Sequence, residues 1–378
     1  MTSYATRLHA AEAAVTVLSA HKAVTDWSAR YFGPWWNAVD AKPESVCEGP
    51  LVVAEVNEDA YGEASLAVTQ ALHTSTTYAK AQTLVARDDA AGVIRAVSPG
   101  ELLAYRSEPA SGKLTIYGCD TETVATATAR LAREMVRGVL LRAGWCVLHA
   151  SAVVQECRVA LTFGRKGAGK TTTALALVAR HGWGLLANDR VFVRPNDRDG
   201  VEVLPWPSAA AVGLGLLDAL DWFEIARQRL HVGEALHPTQ DPRVTQALFA
   251  GVRTPLWENG KELKVQVFPD QFGRWFNIPL AAGGEAAALL FPSILAGAAP
   301  AAKGEARGLD DSDFMSGATE DRYPDIFDLV RVDGGGSEDS RHEVAHRLAA
   351  LPHHSVVLGH DVAANADLLA KLIDLQSS

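Results

Sequence analysis

Residues 163–178 read FGRKGAGKTTTALALV, a stretch that joins the end of an apolar run to three glycines and an amphipathic run. Gly164, four further residues, Gly169, Lys170 and Thr171 match the phosphate-loop spacing G-x-x-x-x-G-K-[ST]. The preceding RVALTF is typical of a buried strand, and the following TTTALALVARHG is typical of a helix. The context predicts an α/β domain in which this loop binds phosphate, with a plain glycine turn as the alternative.

The loop contains the predicted nucleotide-binding residues. Successive backbone N–H groups can converge on phosphate oxygens at the positive end of the following helix. Lys170 can reach the β- and γ-phosphate oxygens, and Thr171 offers a hydroxyl to Mg²⁺. The nucleotide-binding residues predicted in this way are Gly164, Arg165, Lys166, Gly167, Ala168, Gly169, Lys170, Thr171 and Thr172.

An acidic partner for the metal is predicted at Asp189. The stretch WGLLANDRVFV, residues 183–193, places Asp189 directly after a short apolar run, where it would emerge at a strand end near the loop. A plain turn at Asn188 and Asp189 is the alternative reading. The following Arg190 is expected to point away from the phosphates, because side chains alternate along a strand, with contact to the γ-phosphate as the alternative.

Composition limits the classes of partner. The chain has 378 residues, 48% hydrophobic and 21% charged, with a formal net charge of −10. That balance argues against a broad nucleic-acid-binding surface, which needs a clustered basic face. Neither a membrane-spanning apolar run nor a secretory signal is expected, and four dispersed cysteines indicate neither a zinc site nor a disulfide framework. We therefore expect a cytoplasmic protein with no nucleic-acid or membrane partner.

Two domains are expected, residues 1–144 and 145–378. In the first, helical periodicity is expected around Val15–Ser28, an antiparallel meander from Thr83 to Gly118, and a helix before Gly144. That helix is expected to bury an apolar stripe and expose charged residues; the stripe is Leu131, Met135, Val136, Val139 and Leu140, and the charged residues are Arg130, Arg133, Glu134 and Arg137. The adjacent Trp35 and Trp36 are expected to form a partner-binding or interdomain patch, with core packing as the alternative.

In the second domain, continuous apolar strands alternate with helices, which predicts a sheet covered on both faces. Residues 281–304, rich in Gly, Ala and Pro, and the acidic cluster Asp310–Asp313 are interpreted as a flexible surface connection. The end of the chain, SVVLGH followed by ANADLLAKLIDL, predicts a last strand and a docking helix.

Three motifs in order resemble the HPr kinase/phosphorylase family. LHASAV places His149 fifteen residues before Gly164, and LANDRV stands where the family has Ala-Asp-Asp. These motifs, with PWP at 205–207 and the additional N-terminal domain, are most similar to HPr-kinase-related proteins of peptide-tailoring (RiPP) gene clusters. Those proteins include lasso-peptide kinases that phosphorylate a precursor's C-terminal serine.

The resemblance implies an HPr-kinase-like P-loop core, a mixed sheet flanked by helices, with a smaller α+β N-terminal domain that presents the substrate. It implies ATP and Mg²⁺ as cofactors, and Lys170, Asp189 and His149 as catalytic residues. Asp189 is expected to act as the base, or with Thr171 as a metal ligand. His149 would orient Asp189 or the acceptor or carry a proton, although a structural histidine is an equal alternative.

The chain departs from the family in three places. Asn188 replaces the first aspartate, while Ala210 and Val212 stand where HPr kinases have Glu and Arg. These differences argue against HPr as the substrate and against the phosphorylase reaction. The resemblance implies instead a kinase that transfers the γ-phosphate of ATP to a Ser or Thr hydroxyl of a peptide or protein, and a possible homo-oligomer.

Two alternatives stay open: a small-molecule kinase, and a nucleotide-binding regulatory or scaffold subunit without phosphoryl transfer. Arg322 is a further candidate for clamping a phosphate or carboxylate, with capping of a turn as the alternative.

Overall fold

The computed structural model describes residues 2–42, 49–304, 307–315, 324–332 and 334–374, so Arg322 lies outside the described residues. The chain divides into two compact units, Met1–Trp145 with Met315–Ser337, and Cys146–Phe314 with Glu338–Ser378. Each contains a large mixed sheet flanked by helices, which confirms the predicted α/β class. Within the described ranges, no helix is both long and apolar enough to cross a bilayer.

The first unit is built on one sheet. Its strands in the described residues are β1 (Tyr4–Ala10), β2 (Ala13–Ser19), β3 (Val39–Ala41), β4 (Leu51–Val56), β5 (Thr74–Tyr78), β6 (Ala81–Asp88), β7 (Val93–Ser98), β8 (Leu103–Glu108) and β9 (Lys113–Gly118). Its helices there are α1 (Lys22–Trp36), α2 (Glu58–Gln70) and α3 (Thr121–Arg142). The strand order is β3-β1-β2-β4-β9-β8-β7-β6-β5. Strands β6 to β9 pair antiparallel in sequence, which confirms the predicted meander.

Helix α3 is the predicted helix before Gly144. The carboxylate of Asp120 caps it by accepting a 2.9 Å hydrogen bond from the Thr123 N–H. The apolar stripe packs on β2, β4 and β9 as expected. The prediction of a solvent-facing charged side is wrong for Glu134 and Arg137, which are buried and joined at 3.0 Å. Because each charge compensates the other, both side chains can be buried away from water.

The prediction of a helix from Val15 is wrong over its first part. Residues up to Ser19 form β2, which pairs antiparallel with β1 and parallel with β4, and α1 begins at Lys22. The β-branched Val15 and Val17 are fully buried in that sheet. Trp35 and Trp36 are also buried, because α1 packs against both β1 and α3. Their burial contradicts a partner-binding patch and favours the core-packing alternative.

The second unit has a mixed sheet and two small ribbons. Its strands in the described residues are β10 (Cys146–Leu148), β11 (Ser151–Gln155), β12 (Arg158–Thr162), β13 (Gly184–Ala187), β14 (Val191–Pro195), β15 (Val201–Pro205), β16 (Ala210–Val212), β17 (Leu256–Glu258), β18 (Lys261–Leu263), β19 (Val265–Val267), β20 (Gly284–Ile294), β21 (Ala301–Lys303) and β22 (His353–Leu358). Its helices there are α4 (Lys170–His181), α5 (Leu214–Ala219), α6 (Phe223–His231), α7 (Pro242–Ala250), α8 (Pro269–Phe276), α9 (Glu338–Ala349) and α10 (Val362–Asp374).

The large sheet of this unit has the order β10-β14-β15-β20-β12-β11-β13, and β22 pairs with β20 and β21. Strands β12, β20 and β22 are parallel, so their carboxyl ends lie at one edge, here called the carboxyl edge. Helix α4 packs against β11, β12 and β13, and α10 packs on α4. The predicted last strand and docking helix are thereby confirmed as β22 and α10.

Strand β20 contradicts the expected flexible connection over residues 281–304. It lies between β12 and β22, with Ala288, Leu289 and Leu290 fully buried. The alanines that indicated a loop pack inside the unit, where small side chains suit a strand with partners on both sides. The acidic cluster is likewise folded: Asp311–Asp313 forms a 3-10 turn, and Phe314 forms a β-bridge with Leu148.

Candidate functional site

The loop Gly164–Thr171, here called the glycine loop, joins β12 to α4 at the carboxyl edge. Gly164, Gly167 and Gly169 have φ of 146°, 88° and 105°, values that side-chain-bearing residues rarely adopt. A Cβ on Gly169 would lie 2.7 Å from Cδ1 of Ile294 at the end of β20. A Cβ on Gly164 would lie 2.7 Å from Cβ of Ala168. Backbone conformation and close packing therefore both require glycine here.

The amide hydrogens of this loop are free to bind an anion. Within the described part of the chain, the backbone N–H groups of the loop and helix start, apart from that of Ala168, donate to no protein acceptor; they include those of Gly167, Gly169, Lys170, Thr171 and Thr172. The Ala168 N–H differs, since it donates to the Arg165 carbonyl at 3.0 Å. Arg165 and Lys166 are exposed. Unpaired N–H groups at the positive end of a helix form a cradle suited to phosphate oxygens.

Lys170 lies inside this cradle. Its Nζ donates a 2.6 Å hydrogen bond to the Gly164 carbonyl, and its own carbonyl accepts a 2.9 Å bond from Ser151 Oγ on β11. Burial lowers the pKa of Lys170 below its usual value, and the positive charge of Arg190 acts in the same direction. Asp189 and Asp313 oppose this shift. Both carboxylates and Arg190 therefore lie within electrostatic range of the ammonium.

Strand register brings the predicted site residues to one place. Ser151 pairs with Thr162 across β11 and β12, and Ala152 pairs with Ala187 across β11 and β13. His149 precedes β11, the glycine loop follows β12, and Asp189 follows β13, so all three lie at the carboxyl edge. The His149 N–H donates a 2.7 Å bond to the Asp313 carbonyl, which fixes its backbone there.

The predicted acid Asp189 is accessible, with 47% of its side chain exposed, and its Oδ2 lies 3.3 Å from Nη1 of Arg190. Arg190 is only 12% exposed, and its guanidinium lies 5.7 Å from the ring centroid of Trp206. The positive charge of Arg190 acts on the pKa of Lys170, while its contacts are with Asp189 and Trp206. Whether Arg190 contacts a bound phosphate stays a prediction.

Two residues of the site escaped the sequence interpretation, Asp313 and Arg307. The Asp313 carboxylate is 5% exposed and accepts two 2.7 Å hydrogen bonds from the Arg307 guanidinium. This pairing raises the pKa of Arg307. The local signal was an Asp310–Asp313 capping box, Asp-x-x-Asp, which was read only as an acidic surface cluster.

The site fits a nucleotide and Mg²⁺. The unpaired N–H groups and Lys170 suit phosphate, while the Thr171 hydroxyl and Asp189 carboxylate supply the oxygen ligands that Mg²⁺ prefers. No three His, Cys, Asp or Glu side chains cluster as a metal site in the described residues. Asn188, buried, accepts a 3.1 Å hydrogen bond from Ser208 Oγ.

A groove of about 350 Å³ lies elsewhere on the second unit. It is lined by α7 and the β17–β18 hairpin, and it includes Trp257, which is 66% exposed. None of its lining residues belongs to the glycine loop. Chemistry rather than cavity size therefore identifies the candidate site.

Comparison with protein-family models gives no match for this chain, and neither does comparison with curated proteins.

Proposed function

We propose that this chain is an ATP- and Mg²⁺-dependent phosphotransferase that phosphorylates a Ser or Thr hydroxyl of a peptide. The observation that carries the proposal is the glycine loop at the carboxyl edge, with unpaired N–H groups and the half-buried Lys170. Ligands bind characteristically at the carboxyl ends of strands in α/β sheets. Unpaired N–H donors around a half-buried ammonium favour the binding of an anion there.

In the proposed reaction, the protein positions groups and neutralises charge, as phosphoryl transfer requires. Lys170 and the loop N–H groups hold the phosphates of ATP. Thr171 is the residue that would hold Mg²⁺, and a metal-ligand role for Asp189 is the alternative to its role as base. When bound, Mg²⁺ would supply charge neutralisation on the β- and γ-phosphate oxygens. Asp189, half-exposed and beside the loop, is assigned as the base that takes the proton of the acceptor hydroxyl.

The acceptor class rests on the motif order that resembles the HPr-kinase-related peptide kinases. His149 before β11, the glycine loop after β12 and Asp189 after β13 follow that order at one edge of the sheet. The proposal therefore includes an HPr-kinase-type P-loop core for the second unit, Cys146–Phe314 with Glu338–Ser378. Asn188 leaves Asp189 as the one carboxylate of the motif, which favours a forward kinase reaction over a phosphorylase.

The test is the intact mass of Ser- and Thr-bearing precursor peptides encoded beside this gene, after incubation with the protein, ATP and Mg²⁺. Lys170→Ala and Asp189→Ala should each remove a gain of one phosphate. The matched controls are Lys303→Ala and Asp197→Ala, which change exposed residues on β21 and in the β14–β15 turn and should keep the gain.

Absence of any mass gain, with ATP still bound by the wild-type protein, would contradict the peptide-kinase proposal. Labelled ATP with candidate metabolites would then test the small-molecule kinase. A chain that binds ATP and phosphorylates nothing would fit the regulatory or scaffold alternative.

A further inference from the structure

Arg307 is a cation fixed beside the glycine loop. Its guanidinium carbon lies 4.6 Å from the ring centroid of Phe291 on β20. Phe291 stacks at 5.6 Å on Phe163, the residue directly before Gly164. A path of direct packing thus connects Arg307 to the first residue of the loop. A guanidinium that packs over the face of an aromatic ring has less freedom to move than one in solvent.

Asp313 holds the other side of this guanidinium. Its Oδ1 accepts from Nη2 of Arg307 and its Oδ2 from Nη1, both at 2.7 Å, in the two-pronged geometry that suits arginine. Asp313 Oδ2 also accepts the Asp310 N–H at 2.9 Å. With 5% exposure, this carboxylate has little freedom to move. It therefore fixes both the position and the orientation of Arg307.

Part of Arg307 is still available to a ligand. Nη1 also donates to the Gly308 carbonyl at 2.8 Å. In the described part of the chain, Nε and the second hydrogen of Nη2 donate to no protein acceptor, and 39% of the side chain is exposed. A guanidinium already held on two sides loses little conformational entropy when it binds an anion.

The charge balance of the site indicates what Arg307 is for. Lys170 and Arg190 carry positive charge, and Asp189 and Asp313 carry negative charge within range of Lys170. These four charges cancel formally. Arg307 is a further cation of this cluster, and Asp310, whose Oδ2 lies 3.4 Å from Nη1 of Arg307, is a further anion. The six charges cancel formally, so a triphosphate must be bound by directed donors, such as the remaining N–H groups of Arg307, and not by net protein charge alone.

We propose that Arg307, oriented by Asp313, binds the γ-phosphate of ATP held at the glycine loop. The inference rests on the proposed function, because it assumes a nucleotide in the loop. The γ-phosphate is assigned because Arg307 packs through Phe291 on Phe163, at the start of a loop whose lysine reaches the β- and γ-phosphates in this motif. Arg307 is thus a substrate-binding residue, and Asp313 is a positioning residue.

The test is the ratio of ATP to ADP affinity, measured by equilibrium titration with Mg²⁺. Only ATP carries the γ-phosphate, so Arg307→Ala should weaken ATP about 10- to 100-fold and change ADP less than about twofold. Arg307→Lys should bind ATP more tightly than Arg307→Ala does, since lysine keeps the positive charge but lacks the two-pronged donor geometry of arginine. Asp313→Asn should lower the same ratio by a smaller factor.

Arg243→Ala is the matched control, because Arg243 is also paired with carboxylates, Asp241 and Glu258, but lies on α7. The ratio of ATP affinity to ADP affinity in this variant should equal that of the wild type. Thermal melting checks the fold of each variant, and Arg307→Lys keeps the test decisive if Asp313→Asn does not fold. An Arg307→Ala protein with the wild-type ratio would overturn the inference alone. A wild-type protein that binds neither nucleotide would overturn the proposed function as well.

Discussion

The Nζ of Lys170 donates a 2.6 Å hydrogen bond to the carbonyl oxygen of Gly164, so the glycine loop is closed on itself by its own lysine. This bond satisfies the ammonium without an anion, while the neighbouring N–H groups have no protein acceptor. Binding of a phosphate would give the ammonium a charged partner in place of a neutral carbonyl. The exchange should be visible as a change in the protonation of Lys170.

The first prediction is proton uptake when ATP binds at alkaline pH. Burial lowers the pKa of Lys170, so the free protein begins to lose this proton below the usual value of about 10.4. Bound phosphate favours the charged form and raises the pKa, so binding takes up protons between the two values. Affinity for ATP should fall as pH rises through the lower pKa. Binding enthalpies in two buffers of different ionisation enthalpy measure the uptake.

Lys170→Arg is the control for this effect, because arginine stays protonated throughout the range. It should bind ATP without the buffer-dependent enthalpy. Equal proton uptake by the wild type and Lys170→Arg would show that another group titrates, and would contradict the prediction.

The second prediction compares two helix-end glycines. Gly169 and Gly182 flank α4 with φ of 105° and 69°, so alanine at either position is strained by about 1–2 kcal/mol. At Gly169, the new Cβ would also lie 2.7 Å from Ile294 Cδ1, whereas at Gly182 it meets nothing within 4 Å. Gly169→Ala should therefore cost more stability and also abolish nucleotide binding.

Thermal unfolding and ATP titration of both variants check this comparison. Combining Gly169→Ala with Ile294→Val, which removes the contacting Cδ1, should recover part of the stability. If Gly182→Ala lowered nucleotide affinity as much as Gly169→Ala, the loop would have no special role.

The sequence predicted the glycine loop and its lysine because that motif is local. All its residues lie within one strand-to-helix connection, where glycine positions and helix polarity follow from spacing alone. Asp189 was predicted for a similar reason, since it ends a short apolar run. In the structure, the register of β11, β12 and β13 brings these local signals together.

Arg307 and Asp313 could not be predicted in this way. Arg307 packs on Phe291 of β20, and Asp313 binds Arg307. Strand β20 in turn pairs with β12, which lies more than a hundred residues earlier in the chain. The alanine-rich sequence of β20 has the composition of a connection, and only its two partner strands make it a core strand. Tertiary pairing overrides local composition in such cases. The burial of Glu134 and Arg137 has the same origin, because a helical pattern gives no sign of a compensating partner.

The third prediction concerns this buried pair in α3. Arg137 Nη2 lies 3.0 Å from Glu134 Oε2, with side chains 6% and 7% exposed. Removing one partner leaves an uncompensated buried charge, so Glu134→Ala or Arg137→Ala should each cost about 3–5 kcal/mol. The double variant Glu134→Leu with Arg137→Met should change the free energy of unfolding little, since it removes both charges at once. Calorimetric unfolding of the full chain measures all three, and additive losses in the double variant would contradict the coupling.

The fourth prediction links Arg190 to the protonation of Lys170. Arg190 lowers the pKa of Lys170, and its Nη1 lies 3.3 Å from Oδ2 of Asp189. Replacing it in Arg190→Met removes the repulsion and also frees the Asp189 carboxylate, and both changes raise the pKa of Lys170. The pH range in which ATP binding takes up protons should therefore move upward. ATP affinity at neutral pH should fall about 10-fold if the guanidinium also attracts the phosphates.

Arg194→Met is the matched control for the fourth prediction. Arg194 lies on β14, the strand that follows Arg190, and is paired at 3.2 Å with Glu202 of β15. Its loss should leave both the affinity and the proton uptake unchanged, because its guanidinium is paired with Glu202 on β15, whereas that of Arg190 is paired with Asp189. The measurement is again binding enthalpy in paired buffers across alkaline pH. An uptake profile that is the same in Arg190→Met as in the wild type would show that Arg190 does not act on the ammonium, and would remove it from the site.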